Sequence, residues 1–302
     1  VLFRSTDNKG LFMSQVIIQN QNLQVTIALL GAEVRSVKHI VSNHEYMWSG
    51  NPEVWAGVSP VLFPVVGKTT ANQVKFVGES YSLGNHGFAR HSVFSIVEQK
   101  SDEVTLLLNT QIDDVKRYPF NLDFFVNYKL VDKTLHTTYT VHNLDPQTAY
   151  FSVGAHPAFA CPFDDKHQIS DYEIRFEQPE NLLRHEITSE AFYTGKTTDH
   201  KLAAFNLDEH TFDDDALVFS GYNSDSVSLI ERDTGRAIRV SLAGFPWLGI
   251  WSKPSADYVC LEPWCGRSDD LGFSGDINYK AAIETIQANA KWSRTYAIEF
   301  AY

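Results

Sequence analysis

Along most of this chain apolar residues come in short runs that alternate with polar ones, the period of a half-buried strand. Val16-Ile17-Ile18 and Leu23-Gln24-Val25-Thr26-Ile27 are such runs, parted by Asn and Gln turn residues, and Gly31-Ala32-Glu33-Val34 follows. The texture returns at Val93 to Glu98, Val104 to Asn109, Phe124 to Leu130, Thr137 to Val141 and Tyr172 to Phe176. Val227 to Glu231 and Ala237 to Ser241, joined by Asp233-Thr234-Gly235, predict a hairpin. No strand–helix alternation points to a parallel sheet, and no fixed-period repeat points to a propeller or solenoid. The pattern predicts an all-β protein, a large antiparallel β-sandwich forming a single domain over residues 13–302. Ile277 to Ala290 is ambiguous, since its spacing fits an amphipathic helix while the β-rich Tyr296-Ala297-Ile298-Glu299-Phe300 follows it.

One stretch organises the rest. Tyr150-Phe151-Ser152-Val153-Gly154-Ala155-His156-Pro157-Ala158-Phe159 reads as a strand buried on both faces that ends at a histidine. Pro157 pushes His156 toward extended backbone and stops the strand. Gly154 and Ala155 leave room for a close approach to the backbone. Taken alone, this fits a core histidine bonded to a carbonyl as well as a site histidine.

Composition narrows the classes. With 302 residues, 43% hydrophobic and 21% charged, the chain is an ordinary globular protein with ample core. The 25 basic against 37 acidic residues, a formal net charge of -12, argue against nucleic acid or an anionic membrane as partner. The high aromatic share, 13%, suits a large β-structure and also a site that stacks sugar rings. Cys161, Cys260 and Cys265 form no CxxC pair, so a reducing cytoplasm is the expected compartment. No apolar run is long enough to span a bilayer. Met13 is a plausible native start, and Val1 to Phe12 read as an added or disordered extension without the marks of a signal peptide.

Several further segments carry candidate chemistry. Leu62-Phe63-Pro64-Val65-Val66-Gly67-Lys68 ends an apolar run in a cation, either solvated or facing a hydroxyl-rich or anionic ligand. In Gly84-Asn85-His86-Gly87-Phe88-Ala89-Arg90, glycines flank a histidine as they would beside a ligand or in a plain turn. His91 would point to the opposite face of a strand, against a metal shared with His86. Asp213, Asp214 and Asp215 precede the apolar Ala216-Leu217-Val218-Phe219, with Asp215 nearest the strand. Gly244-Phe245-Pro246-Trp247-Leu248-Gly249-Ile250-Trp251 is core or a stacking wall, Trp251 at its end. Glu262-Pro263-Trp264 closes an apolar strand with the syntax of His156-Pro157. A glutamate buried there without a partner costs several kcal/mol. The alternative is a salt bridge to Arg267 or another cation.

Together these motifs resemble the aldose 1-epimerase (galactose mutarotase) family, and within it a LacX-like branch of bacterial proteins. The resemblance runs from about Val16 to the C-terminus. It implies the family's β-supersandwich, an open sugar cleft, and interconversion of the α and β anomers of an aldose. It further implies that His156 is the general acid on the ring oxygen and Glu262 the base on the anomeric hydroxyl. His86, Asp215, Lys68, Arg90 and Trp251 are the implied sugar-binding residues. Lys68 stands where the family usually has arginine, and Gly-Ala-His replaces the commoner Gly-Gly-His. Ala288-Asn289-Ala290 occupies the place of a family Pro-Gly turn, which favours extended chain there.

Opening a hemiacetal ring removes a proton from one oxygen and adds one to another on the same carbon. An ionised carboxylate and a protonated imidazole held on opposite sides of the sugar would do both. Their reference pKa values, roughly 4.3 and 6.5, ask for only modest tuning. No metal, nucleotide or redox cofactor is needed, and no motif for one is present. The expected partner is a small aldose or sugar phosphate, on a monomer or homodimer. Three alternatives remain open at this level. One is a hexose-6-phosphate 1-epimerase using Lys68 and Arg90. The others are a non-catalytic carbohydrate-binding sandwich and a metal-dependent enzyme using His86, His156 and Glu262, without HxH or HExxH spacing.

Overall fold

Alternating strands dominate the computed structural model, which describes residues 14–111 and 117–301. The extension expected over Val1 to Phe12 lies outside the described residues. Leu122–Val131 and Thr134–Asn143 bury every second side chain, as their sequence pattern requires, and pair along their whole length. The hairpin of Ser226–Glu231 with Ala237–Ser241 is also present. Gln15–Gln19, Leu23–Ala28 and Val34–His39 form a separate three-stranded sheet. Its third strand starts at Val34 because Gly31 and Ala32 adopt φ of 74° and 50° and make the turn. Ile277 to Ala290 contains one 3-10 turn, Ile277–Tyr279, and the short strand Glu284–Ile286, so the extended reading holds there.

The main sheet is antiparallel and, among the described residues, contains fifteen strands. Its site-bearing end runs in space Val61–Leu62, Val153–Ala155, Tyr258–Cys265, Trp247–Trp251, Leu217–Ser220 and Tyr172–Ile187. Tyr172–Ile187 has a register shift between Arg175 and Glu180, where it passes from pairing with Ser226–Glu231 to pairing with Leu217–Ser220. One large apolar core extends from Val16 to Phe300, and a small second cluster of Leu62, Val66, Tyr193, Val218 and Trp264 lies apart from it. No helix among the described residues is long and apolar enough to cross a membrane.

Tyr150 to Phe159 is not the single strand its composition suggested. It breaks into Ala149–Phe151, Val153–Ala155 and Ala158–Ala160. The first pairs with Glu284–Ile286, while the other two share one edge of Tyr258–Cys265. Pro157 sits in the gap, where an N–H is missing from the ladder, and its carbonyl still accepts from the Leu261 N–H at 3.3 Å.

Candidate active site

The register along Tyr258–Cys265 sets the central pair. Gly154 pairs with Trp264 before the gap and Ala158 with Cys260 after it, so the same register carried across places His156 opposite Glu262. His156 Nε2 and Glu262 Oε2 lie 3.4 Å apart, and both side chains are buried. Cys260, Glu262 and Trp264 share one face of the strand. On the neighbouring strand Trp251, Gly249 and Trp247 stand opposite them.

That face is the floor of a cleft of about 400 Å³, within the usual range for a small-molecule site. Lys68, His86, Arg90, His156, Asp215, Trp251 and Glu262, all seven singled out from the sequence, line it. The His86 turn is seated by Gly87, whose Cβ, were there one, would stand 2.3 Å from the Phe63 carbonyl oxygen. His86 Nδ1 accepts from the Gly67 N–H at 3.1 Å, which leaves Nε2 as the protonated nitrogen of a neutral ring. Enclosure pushes the His86 pKa well below 6.5, with His156, Arg90 and Lys68 adding to it. The Lys68 N–H donates to Ser268 Oγ at 2.9 Å, and the Lys68 carbonyl accepts from the Asp269 N–H at 2.9 Å. Asp215 takes φ of 73°, with Oδ1 accepting from the Ala216 N–H at 2.8 Å.

The cleft also contains residues that the sequence reading missed. Trp55 packs on His156 with ring centroids 5.0 Å apart and meets Trp251 edge-on at 5.4 Å. Its only signal was a second tryptophan in a Gly, Asn and Pro-containing stretch without strand pattern. Asn85, Tyr193, Trp264 and Ser268 line the cleft too, as does the turn at Ser189, Glu190 and Ala191. That turn closes a hairpin of Tyr172–Ile187 with Tyr193–Asn206. Asn85 and Trp264 sat within the quoted motifs, whereas the hairpin turn carried no signal.

The alternative of a salt bridge from Glu262 to Arg267 is not seen, since Arg267 pairs with Asp270 at 2.7 Å and lies over the Tyr193 ring at 4.2 Å. Three expectations need correction. Glu262 does not close its strand but lies inside Tyr258–Cys265, which runs on through Pro263. His156 and Glu262, expected on opposite sides of a sugar, do not face each other across the cleft. They stand side by side on the floor, because cross-strand neighbours project to the same side of a sheet. Their pKa values are also far from modestly tuned. Burial lowers His156 to about 3, helped by the nearby Arg90 guanidinium. Burial pushes Glu262 well above the carboxylate range, with Trp264 pulling it down and Asp215 pushing it further up. Desolvation penalises both charges, so burial favours a protonated carboxyl beside a neutral imidazole.

Fold and site together define a β-sandwich protein with an imidazole–carboxyl pair on the floor of an aromatic-walled, polar cleft. Residues 14–281 match the family model for aldose 1-epimerase, and the chain belongs to that family. Protein LacX of Lactococcus lactis subsp. lactis is 29% identical over 268 residues, covering 84% of this chain and 88% of LacX. A galactose mutarotase related enzyme from Lactobacillus acidophilus superposes with a TM-score of 0.92 at 30% identity, covering 96% of this chain and 98% of that one. A galactose mutarotase-like protein from Lactobacillus casei gives a TM-score of 0.89 at 27% identity, covering 95% of this chain and 99% of its own.

Proposed function

We propose that this chain is an aldose 1-epimerase that opens and recloses a hexose ring by moving protons through His156 and Glu262. The observation that carries the reading is the 3.4 Å contact between the two groups on the cleft floor. The ring oxygen and the anomeric oxygen share one carbon, so two groups standing side by side can serve both. In the form that opens the ring, the Glu262 carboxylate takes the anomeric hydroxyl proton while protonated His156 gives one to the ring oxygen. The pair is then left as protonated carboxyl and neutral imidazole. The aldehyde turns about its C1–C2 bond, Glu262 returns a proton to the carbonyl oxygen, and His156 takes one from the 5-hydroxyl. Either anomer results, and the pair holds one proton in both forms. Burial favours the ring-closing form, so hydroxyl donors of a bound sugar must offset that bias to charge the pair. Neutral His86 is assigned to donate Nε2–H to the sugar, and Trp55 and Trp251 to supply apolar contact.

The test is anomer exchange, followed by polarimetry or magnetization-transfer NMR on glucose, galactose and their 6-phosphates. Wild type should speed exchange of at least one sugar above background, and His156→Ala and Glu262→Gln should each lose roughly 10²–10⁴-fold. Equal rates for wild type and Glu262→Gln would make the protein a carbohydrate binder instead. A second substrate reading, the hexose 6-phosphate, is favoured by the two cations Lys68 and Arg90 in the lining. The same panel decides between the two.

A further inference from the structure

Cys260 precedes Glu262 by two residues on the same strand face, is fully buried, and has no part in the proton transfers above. Its sulfur, a ring nitrogen of His156 and a carboxylate oxygen of Glu262 all lie within 4.8 Å of one another. Two of the polar atoms in this group, His156 Nδ1 and Glu262 Oε2, are buried without a hydrogen-bond partner. Buried polar atoms in folded proteins nearly always have one. His156 and Glu262 border the cleft, so the group is reached from solvent by way of the sugar space.

Thiolate sulfur, imidazole nitrogen and carboxylate oxygen are the donors that zinc and its late first-row neighbours bind, at roughly 2.0–2.3 Å. Two such donors around one tetrahedral ion stand roughly 3.4 Å apart by that geometry. His156 Nε2 and Glu262 Oε2 are already at 3.4 Å. We propose that His156, Cys260 and Glu262 form a site for a thiophilic divalent cation, zinc or a close relative, open to the cleft at its fourth position. An ion held there switches the enzyme off. It occupies the lone pairs that imidazole and carboxylate need for proton transfer. On binding, the thiol proton and the proton shared by the pair pass to solvent, and no electron changes hands. The switching half rests on the function proposed above, whereas the binding half does not.

Cobalt(II) titrated into the full chain reads the site directly. One ion per chain should bind and give a near-ultraviolet thiolate-to-cobalt band that zinc displaces. Cys260→Ala and the near-isosteric Cys260→Ser should lose the band and weaken cobalt by at least roughly tenfold. Cys161→Ala and Cys265→Ala should keep both. Zinc should abolish anomer exchange in wild type, chelator should restore it, and Cys260→Ala should keep its basal rate in the same zinc. A missing thiolate band, or unchanged cobalt affinity in both Cys260 variants, overturns the site. A thiolate band with exchange untouched by saturating zinc overturns the switch. A band in a protein without any exchange activity upholds the site and sinks the epimerase reading alone.

Discussion

Trp264 Nε1 and Glu262 Oε2 are a donor and an acceptor buried on one face of a single strand, and neither has a hydrogen-bond partner. The indole lies across two glycines. A Cβ on Gly154 would stand 2.6 Å from its Cδ1, and one on Gly249 would stand 2.4 Å from its Cζ2 and Cη2. Nε1 lies between those two ends of the ring, so the glycines fix the N–H edge. The indole pulls Glu262 toward its ionised form, against the larger push of burial.

Trp264→Phe keeps a ring and removes the N–H. The bond at stake is the one the N–H can make once Glu262 ionises during turnover, and a hydrogen bond to a charged group contributes about 1.5–3 kcal/mol. Exchange should therefore slow roughly 10–100-fold. The limb of the pH–rate profile that reports Glu262 should move to higher pH, because the carboxylate has lost a donor. A rate loss with an unmoved profile would leave Trp264 as packing only.

Gly249→Ala tests the same arrangement from below. The new methyl meets ring carbons of a buried side chain, not the end of a flexible one. Overpacking of this kind costs about 1–3 kcal/mol. Thermal unfolding should show that loss, and tryptophan fluorescence should change with it. A variant of unchanged stability and rate would mean that the indole is not held by the glycines.

Much of this was legible in the sequence because strand period and proline breaks are local. His156-Pro157 and Glu262-Pro263 announced themselves as polar residues before a proline in apolar runs, although Glu262 lies within its strand and not at its end. Their direct contact was not legible, since it depends on a register between segments far apart in the chain, shared across the gap at Pro157. The long hairpin was under-read, with its first strand traced only to Phe176. Tyr193–Asn206 is largely solvent-exposed, so no apolar alternation marks it, and the turn it carries into the cleft went unseen. Trp55 was missed for a different reason. It stands outside any strand, and only packing on His156 gives it meaning.

The buried imidazole makes stability depend on pH in a defined direction. Folded His156 stays neutral down to about 3, whereas the unfolded chain takes up a proton near 6.5. Its contribution is intact above 6.5 and is lost as the pH falls toward the folded value. At about pH 5 the loss amounts to about 2 kcal/mol, from 1.36 kcal/mol per pKa unit. His156→Gln has no such group. Urea unfolding at about pH 7.5 and about pH 5 should show the variant gaining on wild type by about 2 kcal/mol as pH falls. A difference that stays constant between the two would mean the imidazole is not held neutral.

Asp269 and Lys280 form a buried ion pair, Lys280 Nζ to Asp269 Oδ1 at 2.5 Å, behind the cleft wall. The pair does more than neutralise itself. Asp269 Oδ2 accepts from the Thr70 N–H at 2.7 Å, and its carbonyl accepts from the Tyr193 N–H at 3.0 Å. One residue thus ties the Lys68 loop to the start of the hairpin strand. Asp269→Asn leaves the Lys280 charge buried without its counter-ion and should cost about 3–5 kcal/mol. The double variant Asp269→Leu with Lys280→Met removes both charges and should recover most of that stability. It still leaves the Thr70 N–H without its acceptor and the Lys68 loop loosened. Since Lys68 is assigned to binding and Tyr193 lines the cleft away from the proton transfers, KM should rise several-fold in the double variant while kcat stays near wild type. Restored stability with an unchanged KM would show that the pair only holds the wall together.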